Sequence, residues 1–288
     1  MSHWLLSALL LCCSLAQAQQ PSTPRIAVID WGLTETLLGL GVTPIAVAQT
    51  EGYRRWVMAP ALPASVVDLG LRVEPNLELL SQLKPDLILI TPQFEASRAQ
   101  LERIAPVRSL AIYTPDGEAY SGAQRVAREL AELLQRPAAA EALIARVDAT
   151  LARVQARLAS KSWPPLYVLS FLDQRHVRLF GKQSIYQGVL ERIGLRNAWQ
   201  GPTNYWGFSQ QGIERLAEQP DAALLYLQPM PPGTLEGLAD SALWQRLPAV
   251  QAQRLYSLPP VWSFNGLLAA ERFATVLEAR LLAENADE

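Results

Sequence analysis

The side chains best placed to hold a ligand in this 288-residue chain are aromatic rings and one guanidinium. Trp31 follows the apolar run Ile26–Ile29 and precedes Gly32. Trp199 and Trp206 flank Gln200-Gly201-Pro202, and Trp262 follows Pro259-Pro260 and stands beside Phe264. Indoles beside turn signals can line a shallow, partly apolar cleft, and in an α/β sheet ligands gather beyond the carboxyl ends of the strands. The alternative for each ring is ordinary packing in the core. Arg72 closes the run Val66-Val67-Asp68-Leu69-Gly70-Leu71, just ahead of Glu74-Pro75-Asn76. A planar fork of donors there can grip carbonyl or oxyanion oxygens two at a time. The competing use of Arg72 is an ion pair with Glu74 or Asp68.

Reactive groups are scarce by comparison. The chain has no G-x-S-x-G, P-loop, H-E-x-x-H or G-x-G-x-x-G. His176 sits in Asp173-Gln174-Arg175-His176-Val177, a turn between two strands, and reads as a surface residue; Glu236 and Asp240 read as solvated surface. Met1–Ala18 has an apolar run followed by Ala16-Gln17-Ala18 and then polar residues, the form of a signal peptide cleaved after Ala18, with an uncleaved anchor as the alternative. Cleavage removes Cys12, Cys13 and His3 and leaves His176 as the sole histidine. Zinc or copper would then lack its thiolates and imidazoles, and Cys-His or Ser-His catalysis would lose most of its parts. With 25 basic and 27 acidic residues there is no positive excess to neutralise phosphates, so nucleic acid is not expected as a partner. Half the residues are apolar, which argues against extensive disorder, and no run of about 18 apolar residues follows the leader.

These residues need a scaffold, and the apolar pattern supplies one. Strands are expected at Ile26–Ile29, Ile45–Ala48, Val66–Leu69, Leu87–Ile90 and Leu110–Tyr113, then at Leu166–Phe171, Val177–Phe180, Ala222–Leu227 and Arg254–Leu258. Helical stretches such as Thr34–Leu40, Asn76–Leu83 and Ser121–Leu134 alternate with them, which predicts α/β lobes with mostly parallel sheets. The length suits two lobes of roughly 130 residues each. We expect an N-terminal lobe over 19–137, a linker helix over 138–161 and a C-terminal lobe over 162–288. Ile144, Val147, Leu151, Val154 and Leu158 recur as a stripe on one helix face. Such a helix would span about 36 Å and could act as an interlobe strut, or else pack within one domain. Trp163-Pro164-Pro165 stops it. A faint echo joins the halves: Glu78-x-Leu80 precedes Pro85-Asp86-Leu87, and Glu214-x-Leu216 precedes Pro220-Asp221-Ala222.

Four segments together resemble the periplasmic ferric-hydroxamate (ferrichrome-type) siderophore-binding proteins of bacterial ABC import systems, within the helix-linked class of substrate-binding proteins. They are Tyr53-Arg54-Arg55-Trp56-Val57, Asp68 to Leu80, Asn197 to Gly207, and Pro260-Val261-Trp262, within a resemblance that runs from about Arg25 to Leu282. The resemblance implies two α/β lobes joined by a long helix, with ligand held between them. It implies that Arg72 contacts iron-bound hydroxamate oxygens, that Trp31, Trp56, Trp199, Trp206 and Trp262 line the cleft, and that Tyr53 and Tyr205 are further candidate donors. Phe94 and Phe264 stand where a ferrichrome-binding relative has pocket tyrosines. A lost donor to a charged acceptor costs about 1.5–3 kcal/mol if nothing replaces it, so the exact chelate stays open.

The wider class also implies that Glu78 and Glu214 dock on basic sites of an inner-membrane ABC permease driven by its ATPase; the alternative is that each supports its own helix N-terminus. The expected protein is a periplasmic monomer without catalysis, resident cofactor or metal, since the siderophore already wraps its iron(III). Two cargo rivals share the fold: another iron chelate (citrate-hydroxamate or catecholate), or cobalamin or haem. A secreted hydrolase and a sensor partner are the rivals of other classes.

Overall fold

The computed structural model describes residues 24–115 and 117–283. The leader expected at Met1–Ala18 lies outside them. The chain runs β1 (Ile26–Val28), α1 (Trp31–Gly39), β2 (Ala46–Val47), α2 (Thr50–Trp56), β3 (Val67–Asp68), α3 (Leu77–Leu83), β4 (Leu87–Ile90), α4 (Arg98–Leu101), β5 (Val107–Ser109) and α5 (Ala119–Leu133). After α6 (Pro137–Leu158) come β6 (Leu166–Phe171), β7 (His176–Phe180), α7 (Ile185–Arg192), β8 (Phe208–Gly212) and β9 (Ala223–Leu227). Then follow α8 (Thr234–Ala239), α9 (Ala242–Gln245), α10 (Pro248–Gln251), β10 (Leu255–Leu258) and α11 (Leu267–Ala283).

The first half builds a wholly parallel sheet in the order β3-β2-β1-β4-β5. Its central strands β1 and β4 are buried at every position, as continuous apolar runs covered on both faces must be. The second sheet, β10-β9-β6-β7-β8, is parallel from β10 to β6 and antiparallel beyond, so it is mixed. Two expectations change. The last strand of the first sheet is Val107–Ser109, not Leu110–Tyr113. Leu110 N still donates to Ile90 O at 3.0 Å, but Ile112 and Tyr113 leave the ladder and line a cavity, so their apolar character serves that wall. The edge strand β8, Phe-Ser-Gln-Gln-Gly, has no apolar run and so gave no strand signal; it pairs with β7 alone.

Pro137 opens α6 at a position where its missing N–H costs nothing. Ile144, Val147, Leu151, Val154 and Leu158 are all buried, and the Trp163 indole donates to Leu158 O at 3.0 Å where the helix ends. The helix is no bare strut. It packs against α5 and α11, with Arg146 on Glu271 at 2.7 Å, and Arg153 and Arg157 on Glu278 at 3.0 and 3.2 Å. One apolar cluster joins Ile26 and Val28 of the first sheet, Val147 and Val154 of α6, and Val168 and Leu225 of the second. Parting the lobes along this seam would expose apolar surface at about 25 cal/mol per Å².

Candidate functional site

A cavity of about 310 Å³ opens between the two halves. From the first half its walls come from residues just beyond strand carboxyl ends: Asp30 after β1, Arg72 after β3, Thr91 after β4 and Tyr113 after β5. This is where an α/β sheet offers backbone and loop groups to a ligand. From the second half come Arg178 on β7, Tyr205 and Trp206 ahead of β8, Phe208 at its start, and Trp262 and Phe264 after β10.

The turn that carries Arg72 is fixed by hydrogen bonds. Gly70 takes a positive φ of 78°, which glycine adopts at no steric cost, and the turn closes through a Gly70–Pro75 bridge. The Asp68 carboxylate accepts from Thr50 N at 3.0 Å, Thr50 Oγ1 at 2.6 Å and Gly70 N at 2.8 Å. Burial pushes this carboxyl up, but those hydrogen bonds outweigh it and hold Asp68 below the usual range. Asp68 is therefore occupied by the turn, and Arg72 pairs with neither it nor Glu74 among the described ion pairs.

Instead the Arg72 guanidinium carbon lies 3.8 Å from the Trp31 ring centre and 5.7 Å from that of Trp262, and Nε donates to Gln49 Oε1 at 3.3 Å. Stacking of this kind fixes the plane of the fork and is worth about 0.5–2 kcal/mol. Burial pulls the Arg72 pKa down, and the Asp30 carboxyl opposes that pull. Asp30 caps α1, accepting from Gly32 N at 2.8 Å and Leu33 N at 3.1 Å. Burial pushes its carboxyl above the usual range, against these bonds and the Arg72 charge.

The apolar wall is a chain of rings. Trp56 meets Trp262 at 5.9 Å, Trp262 meets Trp31 at 5.0 Å and Phe264 at 5.3 Å, and Phe264 meets Trp206 at 5.5 Å. Two phenols tie the halves together: Tyr205 donates to Tyr113 O at 2.6 Å, and Tyr113 donates to Ser263 O at 2.8 Å. Gly207, at φ 76°, lets Trp206 turn inward; a Cβ there would lie 2.2 Å from Ser184 N.

The expected residues divide. Arg72, Tyr205, Trp206, Trp262 and Phe264 line the cavity. Trp31 is buried beneath Arg72, its indole donating to Ala48 O at 3.0 Å, so it is a floor for the guanidinium. Gly52 lets α2 cross this ring, since a Cβ would stand 2.5 Å from it. Trp56 meets Trp262 but is not among the residues that line the cavity. Tyr53 is a correction: it is fully buried and its hydroxyl donates to Pro60 O at 3.1 Å, away from the cavity. Trp199 is another: it packs in the second core and borders a separate hollow of about 820 Å³ with Glu118, Lys182 and Gln183. That hollow is larger but more polar, without the guanidinium or the run of rings. Phe94 is 5% exposed and edges an adjoining hollow, which shares Arg72 with the cavity. Glu78 and Glu214 are exposed, each in the first turn of its helical segment, α3 and the 3-10 turn Ile213–Ala217.

Asp30, Tyr113, Arg178 and Phe208 went unnoticed in the sequence. Only Arg178 left a usable sign: in His176-Val177-Arg178-Leu179-Phe180, alternation puts it on the face opposite Val177 and Leu179. Among the described residues no three His, Cys, Asp or Glu gather as a metal site, and no helix is long and apolar enough to cross a membrane.

Comparison with known proteins follows the same geometry. Residues 26–261 match the family described as periplasmic binding protein. The chain is 36% identical over 273 residues to the iron(3+)-hydroxamate-binding protein FhuD of Escherichia coli strain K12, spanning 95% of this chain and 92% of that protein. It is 25% identical over 258 residues to the Fe(3+) dicitrate-binding periplasmic protein FecB of the same organism, spanning 87% and 82%. The crystal structure of the siderophore-binding protein FhuD from Vibrio cholerae with Fe3+-Desferal bound superposes with a TM-score of 0.86 at 33% identity, covering 91% of this chain and 99% of that one. These relatives are binding proteins by name, not enzymes.

Proposed function

The chain belongs to the periplasmic binding protein family, and from that premise we propose that it captures a ferric hydroxamate siderophore between its lobes and delivers it to an ABC permease for iron uptake. One observation carries the reading: a guanidinium stacked on an indole, at the rim of a ring-walled cavity, with its Nε satisfied by Gln49 and its terminal nitrogens directed to no described protein acceptor. A hydroxamate chelate presents a cluster of partly negative oxygens around iron and an apolar periphery. The terminal nitrogens of Arg72 suit the oxygens through charge-assisted hydrogen bonds, while Trp206, Trp262 and Phe264 cover the periphery and exclude water. Phe94 and Phe264 bring no hydroxyl, and the Tyr205 hydroxyl at the cavity wall already donates to Tyr113 O, so the donors to the chelate fall to Arg72.

Iron is cargo in this scheme, already coordinated by the siderophore. The shared core behind the cavity favours small lobe displacements over wide hinge opening. Glu78 and Glu214 would meet basic sites on the permease, and its ATPase would drive release. The protein would act as a monomer in the periplasm after cleavage behind Ala18. The test is titration of the mature protein with ferrichrome and ferrioxamine, read by quenching of tryptophan emission. Saturable quenching in the wild type that weakens strongly in Arg72→Ala supports the reading; an unaltered affinity in the variant removes its central contact.

A further inference from the structure

Three charged side chains line the cavity: Asp30, Arg72 and Arg178. One carboxyl cannot balance two guanidiniums, so the cavity carries net positive charge whether or not Asp30 is ionised. The excess lies on the side of Arg178. This residue enters from β7 of the second half, opposite Arg72, with its guanidinium carbon 5.1 Å from the Phe208 ring centre. Its neighbours across the sheet are Ser170 on β6 and Gln210 on β8, both neutral. No described carboxylate pairs with it, and its buried Nε has no hydrogen-bond partner. A half-buried guanidinium with an unpartnered donor is costly in the free protein and is relieved when an anion arrives.

The chemistry of the cargo makes this charge discriminating. Three monoanionic hydroxamates on iron(III) cancel its charge and give a neutral centre, for which Arg72 suffices. A chelate built on a citrate core with fewer hydroxamates keeps uncoordinated carboxylates and is anionic overall. We infer that Arg178 is a specificity-determining residue that grips such a free carboxylate, so that this cavity favours ferric hydroxamate chelates bearing an anionic arm over neutral trihydroxamates. The inference rests on the hydroxamate reading above and narrows it to a charge class.

The test compares ferrichrome, a neutral trihydroxamate, with ferric aerobactin, a citrate-hydroxamate with free carboxylates, by fluorescence titration of the mature protein and of Arg178→Gln and Arg178→Lys. The wild type should bind ferric aerobactin more tightly, by about tenfold to a hundredfold, the ratio that a charge-assisted hydrogen bond of about 1.5–3 kcal/mol gives. Arg178→Gln should lose that preference, its affinity falling further for ferric aerobactin than for ferrichrome, with wild-type thermal unfolding showing that the variant is folded; Arg178→Lys should recover part of the preference. A wild type that binds ferrichrome as tightly as ferric aerobactin overturns the inference and leaves the hydroxamate reading standing. Equal loss of both chelates in an Arg178→Gln protein with wild-type thermal unfolding overturns it too. Binding of neither chelate by the wild type sinks the hydroxamate reading itself, and the inference with it.

Discussion

The two lobes each bring one guanidinium to the same cavity and treat it differently. The first lobe surrounds Arg72 with compensation: an indole face at 3.8 Å, a carboxamide on Nε at 3.3 Å and a nearby carboxyl. The second lobe gives Arg178 a single ring of the cavity wall, Phe208, with its centre 5.1 Å away, and leaves its Nε without a partner. Burial pulls both pKa values down, but only Arg72 has a carboxyl opposing the pull. The same group is thus a fixed tool in one lobe and an uncompensated charge in the other. Preorganisation lowers the ordering cost of binding whichever chelate arrives, whereas an uncompensated charge discriminates among chelates by their own charge. The backbone explains the asymmetry. Arg72 rides on a turn anchored by Asp68 beyond a parallel sheet, while Arg178 stands within an antiparallel ladder whose neighbours at that register, Ser170 and Gln210, are neutral.

If Arg72 is the general tool, its removal should weaken every ferric hydroxamate, and this is the largest effect expected. Arg72→Ala should lose affinity by about tenfold to a hundredfold for neutral and anionic chelates alike, measured by tryptophan quenching. Arg72→Lys should recover little, because an ammonium neither stacks on Trp31 as a plane nor donates as a fork. A loss confined to anionic chelates would erase the distinction between the lobes.

Next in size is an effect on the seam where α1 meets the α11 segment. Glu35 on α1 accepts from Gly266 N, at the start of the α11 segment, at 3.0 Å, and is 1% exposed. Burial pushes its carboxyl up to about 8. A buried acid with a raised pKa is protonated in the folded state while the unfolded state has already released its proton. Stability from this group is therefore greatest below the unfolded value near 4.5, falls as pH rises towards about 8, and is flat beyond. Between about pH 6 and 7.5 the fall amounts to about 2 kcal/mol at most. Denaturant unfolding should show this slope in the wild type and a flatter profile in Glu35→Gln; parallel profiles would mean that the seam does not titrate.

A third effect probes the wall shared by both guanidiniums. Trp262 touches the rings of Trp31, Trp56 and Phe264, and Arg72 lies within 5.7 Å of it. Trp262→Ala should weaken ferrichrome and ferric aerobactin by about the same factor, about tenfold, since it removes apolar cover rather than charge. Unequal losses would show that the indole also orients the chelate's charged arm.

How much of this was legible depends on whether a residue announces its neighbours in one dimension. The strands Leu87–Ile90 and Leu166–Phe171 appear at the boundaries that their apolar runs indicate, and the α6 stripe from Ile144 to Leu158 is buried throughout. Arg72 stood out because a turn signal and a strand flank it. Tyr53 and Trp199 share the aromatic type of the cavity rings but point into cores, a matter of tertiary direction that spacing does not encode. Tyr113 was hidden inside an apolar run that reads as strand, and β8 by its polar sequence at a sheet edge, where burial on two faces is not required. Arg178 was hidden by convention: a charged residue within a strand is read as facing solvent, and here the face opposite Val177 and Leu179 meets the cavity.

The smallest effect on chelate affinity belongs to residues outside the cavity, and it separates capture from delivery. Glu78 and Glu214 are exposed and lie in the first turn of their helical segments, one in each lobe, each two residues ahead of a buried leucine, Leu80 and Leu216. An acidic residue there also complements its own helix terminus, worth about 0.3–1 kcal/mol. The two roles diverge under charge reversal. If the glutamates only support their helices, Glu78→Lys and Glu214→Lys should lower thermal stability slightly and leave iron uptake intact. If they dock on basic permease sites, chelate affinity should stay within about twofold of wild type while uptake in vesicles holding the permease and its ATPase falls steeply, and falls further in the double variant. If the lobes contribute unequally to capture but one glutamate each to docking, the two single variants should show matched losses, which would place the asymmetry of this molecule in its cavity alone.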